Sequence, residues 1–170
     1  MSRAKQAGTV LMLCLTLMVL LGLLGLSAMQ AATQQQRMAS NLLGSIQAFE
    51  AAEQLLRVGE AHLSVGVPEA CGFCLPPPEA QWVASAGSYR GERESSGLPW
   101  QREPAGFYLI QNLGLSTLAL GMPEDVPVTL VRITAIGLER ELRVVLESTF
   151  AWPDPASRIA ARRVAWRQVF

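Results

Sequence analysis

The first third of the chain carries two hydrophobic patterns in succession. Residues 10–29 read VLMLCLTLMVLLGLLGLSAM and include no charged residue. A helix of this length spans about 30 Å, which matches the hydrocarbon core of a bilayer. Arg3 and Lys5 precede the run and the next charge is Arg37, so the amino terminus is predicted to stay in the cytoplasm while the rest of the chain is exported. The pattern therefore predicts a transmembrane helix.

A secretory signal peptide cleaved near Ser27 and Ala28 is the alternative interpretation of this run. The apolar region of a signal peptide usually has about 7–15 residues, which is shorter than the run here. A retained helix is therefore favoured.

The second pattern is amphipathic and extends the same helix. No proline interrupts residues 30–63, and the first proline is Pro68. Apolar residues recur near the helical period. We therefore predict one helix over residues 9–63 that packs on the rest of the chain through Leu42, Ile46, Phe49 and Leu56.

Residues 64–170 predict an extracytoplasmic head of loops and strands. Turn-forming residues dominate residues 64–105, where the prolines at 76–78 end any helix and favour an extended backbone. Residues 81–84 predict one short strand. Alternating apolar positions then predict strands over residues 106–113, 126–138, 141–152 and 163–169, with a turn at 137–140. The fold class is α+β, in which a small antiparallel sheet covers the rear half of the long helix.

Charge and composition narrow the function classes. Basic and acidic residues balance at 14 each and half of the residues are hydrophobic, whereas binding to nucleic acid through phosphates requires a basic surplus. The sequence has no nucleophile elbow, phosphate loop or zinc-protease motif, and Glu50 and Glu53 are interpreted as one polar helix face. We therefore expect no catalytic residues, no cofactor and no nucleic-acid partner.

Three cysteines and one histidine give few options for redox or metal chemistry. Cys14 lies in the apolar run and is expected to pack as a small hydrophobic residue. Cys71 and Cys74 form CGFC, which in an oxidising compartment favours a short disulfide that closes a loop. A thioredoxin-like redox pair is the alternative, although it requires a strand before the motif and a helix after it. His62 cannot complete a zinc site with these two thiols, so no metal is expected.

Three blocks of sequence carry a family resemblance. They are AGTVLMLCLTLMVLLGLLGLSAMQ, then QQQRMASNLLGSIQAFEAAEQLLRVGE, and at the end AARRVAWRQVF. In order and spacing they resemble the PilX-type minor pilins of bacterial type IV pilus assembly. The resemblance is strong over residues 1–63, partial over residues 126–170 and faint between them, and it implies the pilin-like form of the α+β fold.

The resemblance implies how the amino terminus is processed. Residues 1–8 would form a prepilin leader, which a prepilin peptidase removes between Gly8 and Thr9, and Thr9 would then be N-methylated. Most pilins carry a glutamate at the fifth mature position, where it pairs with the amino group of a neighbouring subunit. Leu13 occupies that position here. PilX-type pilins lack this glutamate, so the departure agrees with the resemblance and indicates a tip-most subunit rather than the major pilin.

The resemblance also implies a function, a location and partners. The expected function is a minor pilin that primes pilus assembly and is located at or near the tip. The protein would span the inner membrane once, with its head in the periplasm, and would contact other minor pilins, the major pilin, the assembly machinery and the prepilin peptidase. The alternatives are a K-like pseudopilin of type II secretion, which is usually larger, and a membrane-anchored periplasmic thiol–disulfide protein.

Overall fold

The computed structural model describes residues 7–154, 156–157 and 159–169. Most of the expected leader, residues 1–6, lies outside the described residues. Along the chain the elements are helix α1 (Ala7–His62), a 3-10 helix (Pro78–Gln81) and strands β1 (Gly87–Ser88), β2 (Pro99–Glu103), β3 (Gly106–Ser116), β4 (Val128–Glu139), β5 (Leu142–Pro153) and β6 (Arg162–Gln168).

The chain divides into two compact units, residues 1–43 and 44–170. In the first unit α1 is the described element, and the side chains of residues 9–43 are all exposed. This part of α1 is long and apolar enough to cross a membrane by length and composition. The predicted long amino-terminal helix is therefore confirmed.

The second unit contains a six-stranded antiparallel sheet in which every strand pairs with its neighbour in sequence. β4 and β5 are the longest strands, with 12 residues each, and they pair along their whole length from Val128 with Pro153 to Glu139 with Leu142. Together with α1 packed on this sheet, these strands confirm the predicted α+β, pilin-like fold.

One face of the sheet packs on the last turns of α1. Gly137 on β4 lies so close to α1 that an added Cβ would collide with Ala48 O and Ala52 N. Small residues at this point therefore allow the helix and the sheet to approach closely. Large side chains fill the space on either side of this close approach. The buried members of this cluster are Ala48, Ala52, Leu55, Leu56, Leu63, Tyr108, Val131, Ile133, Ala135, Val144 and Leu146.

The opposite face of the sheet is covered by loops, which the sequence did not predict. Segment 76–98 lies over an apolar cluster of Ala80, Val83, Trp100, Phe107, Leu109, Ile136 and Val145. Segment 117–127 lies over a smaller cluster of Ala119, Val128 and Ala151. The outer parts of β4 and β5 are therefore covered on both faces.

Three predictions about the head are wrong in detail. Residues 81–84 form no strand, because the preceding prolines start a 3-10 helix at Pro78. β1 and β2 were not predicted, and β2 reads PWQRE with one buried residue, Trp100. The predicted turn at 137–140 is shorter than expected: β4 continues to Glu139, and Arg140 makes the turn with a φ of 54°.

Candidate interaction site

The exposed apolar part of α1 is the first candidate for contacts outside the chain. Leu13 is 67% exposed, and residues 10–29 hold no acidic side chain. The hydroxyl of Thr16 donates to the carbonyl of Leu13 at 3.0 Å, and that of Thr33 donates to Met29 at 2.8 Å. Both hydroxyls are therefore satisfied within the helix, as an apolar environment requires. Cys14 is exposed on the same stretch.

The four predicted packing residues do not share one environment. Leu56 is fully buried, and Phe49 is half-buried against the same cluster, with its ring 6.0 Å from that of Trp166 on β6. Leu42 and Ile46 are exposed, at 62% and 45%, so the prediction of a buried face at these two positions is wrong. Ile46 lies about 160° around the helix from the buried Ala48, since successive helical residues are about 100° apart.

An ion-pair cluster joins one edge of α1 to β6. Arg163 Nε donates to Glu60 Oε1 at 2.8 Å, and its Nη1 lies 3.5 Å from Glu53 Oε1. Ser148 Oγ lies 3.4 Å from the same Glu60 oxygen. Burial acts to lower the pKa of Arg163, but its hydrogen bond with Glu60 and the two carboxylate charges prevail and raise that pKa.

This cluster could not be read from the sequence. Glu53 was interpreted only as part of a polar helix face, and Glu60 and Arg163 are separated by 103 positions. The one available signal is that Glu53 and Glu60 are seven residues apart, which places them on the same side of a helix. Glu50, in contrast, is exposed as predicted.

The loop that contains Cys71 and Cys74 is attached to the sheet. The two sulfur atoms lie at bonding distance, with Cα atoms 5.4 Å apart. Cys71 N–H donates to Asn112 O at 2.8 Å, and Arg132 Nη1 donates to Cys74 O at 2.9 Å. The buried Gln111 donates from Nε2 to two further carbonyls of the loop, those of Phe73 and Leu75. The geometry fits a staple that fixes a loop.

His62 lies at the end of α1 beside a buried tyrosine. Its Nδ1 is 3.1 Å from Tyr108 Oη, and the Tyr108 hydroxyl also donates to Gln101 Oε1. Burial raises the pKa of Tyr108, and the negative charge of Glu103 raises it further. Of these residues, His62 and Gln101 border an open cavity of about 730 Å³, which residues 65–72 also line.

A buried carboxylate organises the loop over the other face of the sheet. Glu79 is fully buried, and it accepts hydrogen bonds from Ser96 N at 2.9 Å, from the Ser96 hydroxyl and from Trp100 Nε1 at 3.2 Å. Three donors compensate the loss of water around this carboxylate. Sequence reasoning missed Glu79, because its partners are 17 and 21 positions away.

Comparison with known proteins adds one finding. Residues 7–54 match the model of the PilX N-terminal family. Neither the curated proteins nor the solved structures that were compared with the chain gave a match. The matched segment comprises most of α1, and it confirms the resemblance to PilX-type pilins there.

Proposed function

We propose that this protein is a minor pilin that primes type IV pilus assembly and lies at or near the pilus tip. The observation that carries the proposal is the match of residues 7–54 to the PilX N-terminal family. It supports a PilX-type pilin with a role in the type IV pilus. Because pilins are structural proteins, the match also supports a structural rather than an enzymatic role.

The proposed organisation has three parts. Residues 1–8 are the prepilin leader, residues 9–63 are the long helix with its membrane span at 10–29, and residues 64–170 are the periplasmic head. The exposed apolar surface of α1 supports a single-pass anchor in the inner membrane. The head would then meet other minor pilins and the major pilin, and the helix would meet the assembly machinery.

Leader cleavage between Gly8 and Thr9 is tested by intact-mass analysis of the protein purified from membranes. The expected mature chain begins at N-methylated Thr9 and carries the Cys71–Cys74 disulfide. Gly8→Val should block cleavage, since a branched side chain would not fit a site made for glycine. The matched control is Gly22→Val, which alters a glycine within the apolar run and should be processed normally. A mature chain that begins near Met29 would instead indicate an ordinary signal peptide.

The proposed tip position rests on Leu13. An incoming pilin uses its glutamate to pair with the amino group of a subunit already in the filament, and Leu13 offers no such carboxylate. The subunit would therefore join an existing filament poorly, while the amino group created at Thr9 by cleavage could receive the glutamate of the next subunit. Such a subunit starts filaments and remains at the end that leaves the membrane first.

Counting and labelling of pili test the tip position. Deletion should reduce the number of pili more than their length, and immunogold label should mark ends. Leu13→Glu should increase label along the shaft, whereas the control Leu17→Glu, one helical turn further on, should not. If both variants are lost from the membrane, the free-energy cost of a carboxylate in the bilayer exceeds the gain from its pairing with the amino group of another subunit. Abundant label along the wild-type shaft would contradict the tip position but not the pilin role.

A periplasmic thiol–disulfide protein is the alternative that the CGFC sequence favours. The carbonyl and amide groups of the Cys71–Cys74 loop are bonded to β3 and β4, which supports a structural disulfide. The reduction potential separates the two functions, because a structural disulfide resists the glutathione pool and a catalytic one exchanges with it. A K-like pseudopilin shares the anchor, and detection in a type II secretion complex rather than in pili would identify it.

A further inference from the structure

A polar strip crosses the sheet on the face opposite α1. Along β4, β5 and β6 the outer ends of this face belong to the two loop-covered apolar clusters. Between them Arg132 lies opposite Thr149, which lies opposite Ala165 on β6. In the next row Glu147 pairs with Arg167. Both rows lie between the segments that cover the two clusters.

The strip forms a cleft of about 300 Å³ lined by Arg132, Glu147, Thr149, Ala165, Trp166 and Arg167. The short side chain of Ala165 lies beside Thr149 on the neighbouring strand, and both arginines line the same cleft. The volume suits a small polar group, since one water occupies about 30 Å³ in the liquid. The cleft is open to solvent, as Arg167 and Ala165 are exposed.

The charges in the cleft are not balanced. Glu147 is buried, and Arg167 places both its Nε (2.8 Å) and its Nη2 (2.6 Å) on the same oxygen, Oε2. Arg132 lines the same cleft, so the lining carries two guanidinium groups and one carboxylate. Burial lowers the pKa of Arg132, the negative charge of Glu147 raises it, and the positive charge of Arg167 lowers it further.

Arg132 is also held in place. Its Nη1 donates to the carbonyl of Cys74, and the Cys71–Cys74 loop is itself bonded to β3 through Asn112. A guanidinium has five N–H donors, and this bond occupies one of them. The side chain is therefore oriented in advance, which lowers the entropic cost of binding a ligand.

We propose that this cleft binds a carboxylate group, held between Arg132 and Arg167 above Thr149. A carboxylate complements a guanidinium in charge and in planar geometry. With Glu147 already present, a bound carboxylate would supply the second negative charge that balances the two arginines. The carboxylate could belong to a glutamate or aspartate of another protein chain or to a free organic acid. The proposal does not depend on the pilin function.

The test uses the full-length protein in detergent micelles at pH 7, labelled with ¹⁵N-arginine. Sodium acetate is titrated at constant ionic strength against sodium chloride, and the Nε–H resonances of Arg132 and Arg167 are followed. Both should shift with one saturable curve in the millimolar range. Absence of a saturable shift up to 100 mM acetate, or the same shift with chloride, would overturn the proposal.

Variants separate binding from a general loss of charge. Arg132→Gln should weaken acetate binding at least 10-fold. The control Arg162→Gln should change it less than 2-fold, because Arg162 is on β6 with Arg167 but bonds to the carbonyl of Gly121 and does not line the cleft. Glu147→Gln should tighten binding several-fold by removing the competing carboxylate. Weaker binding in Glu147→Gln in a protein with an unchanged near-UV spectrum would refute the proposed charge imbalance.

Two further probes identify the source of the carboxylate. N-acetyl-glutamate methylamide, compared with its glutamine analogue, represents a protein side chain, and succinate represents a free acid. If the capped glutamate binds at least as tightly as acetate, the ligand is a side chain of another protein. If succinate binds and the capped glutamate does not, it is a free acid. If neither binds, the carboxylate assignment is wrong.

Discussion

The close approach of α1 to the sheet at Gly137 gives a sharp mutational test. A methyl group at Gly137 would lie 2.9 Å from Ala52 Cβ and closer still to the backbone atoms Ala48 O and Ala52 N. Carbon atoms normally approach to about 3.5–4.0 Å, so the Ala52 Cβ contact alone needs about 0.6 Å of relief. The closer contacts with Ala48 O and Ala52 N require α1 to move away by roughly 1 Å. A gap of this size forfeits roughly a quarter to a half of each affected dispersion contact.

We therefore expect Gly137→Ala to lower the free energy of unfolding by about 3 kcal/mol, at the upper end of the usual cost of overpacking. Relief through side chains is not available, because the nearest atoms belong to the helix backbone. Without the collision, Gly→Ala would be stabilising by about 0.4–1 kcal/mol through the unfolded state. The expected sign is therefore set by the helix contact alone.

Urea unfolding of the full-length protein in micelles, followed by tryptophan fluorescence, measures this cost. The four tryptophans all lie in residues 82–166, so the signal reports on the sheet unit. The matched control is Gly72→Ala, where an added Cβ meets no atom within 4 Å, and it should stay within about 0.5–1 kcal/mol of wild type. A Gly137→Ala protein as stable as wild type would refute the proposed backbone contact.

Three other variants test the sheet unit in the same assay. Phe49→Ala should lower the free energy of unfolding by about 1–2 kcal/mol, because the ring is half-buried against Trp166. Truncation of a fully buried phenylalanine costs about 3–5 kcal/mol, so a loss above about 3 kcal/mol would contradict this. Glu79→Gln should cost about 2–3 kcal/mol, because one accepting oxygen becomes an NH₂ facing donors such as Trp100 Nε1; an unchanged midpoint would show that the carboxylate is not required. Burial is the main cause of the raised pKa of Tyr108, so its contribution to the free energy of unfolding is present below pH 10.0 and is lost as the pH rises through the folded-state pKa. Tyr108→Phe should remove this loss of stability at alkaline pH. A variant with the same pH profile as wild type would contradict this.

The sequence predicted the elements whose signal is local and repeated. α1 follows from a long stretch without proline, and β3, β4 and β5 follow from alternating apolar residues that their burial explains. β2 escaped prediction because Trp100 is its one buried residue and the strand begins at Pro99. Residues 81–84 were wrongly predicted as a strand because Val83 is apolar, whereas in the structure it anchors a loop on the sheet by packing in the cluster with Trp100.

The packing face and the candidate sites depend on partners that are distant in sequence. Helical periodicity was judged from large side chains, which selected Leu42 and Ile46, whereas the sheet approaches α1 at the small residues Ala48 and Ala52. The register of the strand pairs likewise determines that Arg132, Glu147 and Arg167 line the same cleft. No residue pattern within one segment records such a meeting, so the cleft became visible only with the register of β4, β5 and β6.

The order of strands in the sheet has a consequence for how the protein is made. Since each strand pairs with the one synthesised before it, the sheet can grow step by step as successive strands become available. Contacts of this local kind favour rapid folding. β6 follows the other five described strands in the chain, and its Arg163 bonds to Glu60 across 103 residues. The ion pair between β6 and α1 can therefore form only after the other five described strands have been synthesised.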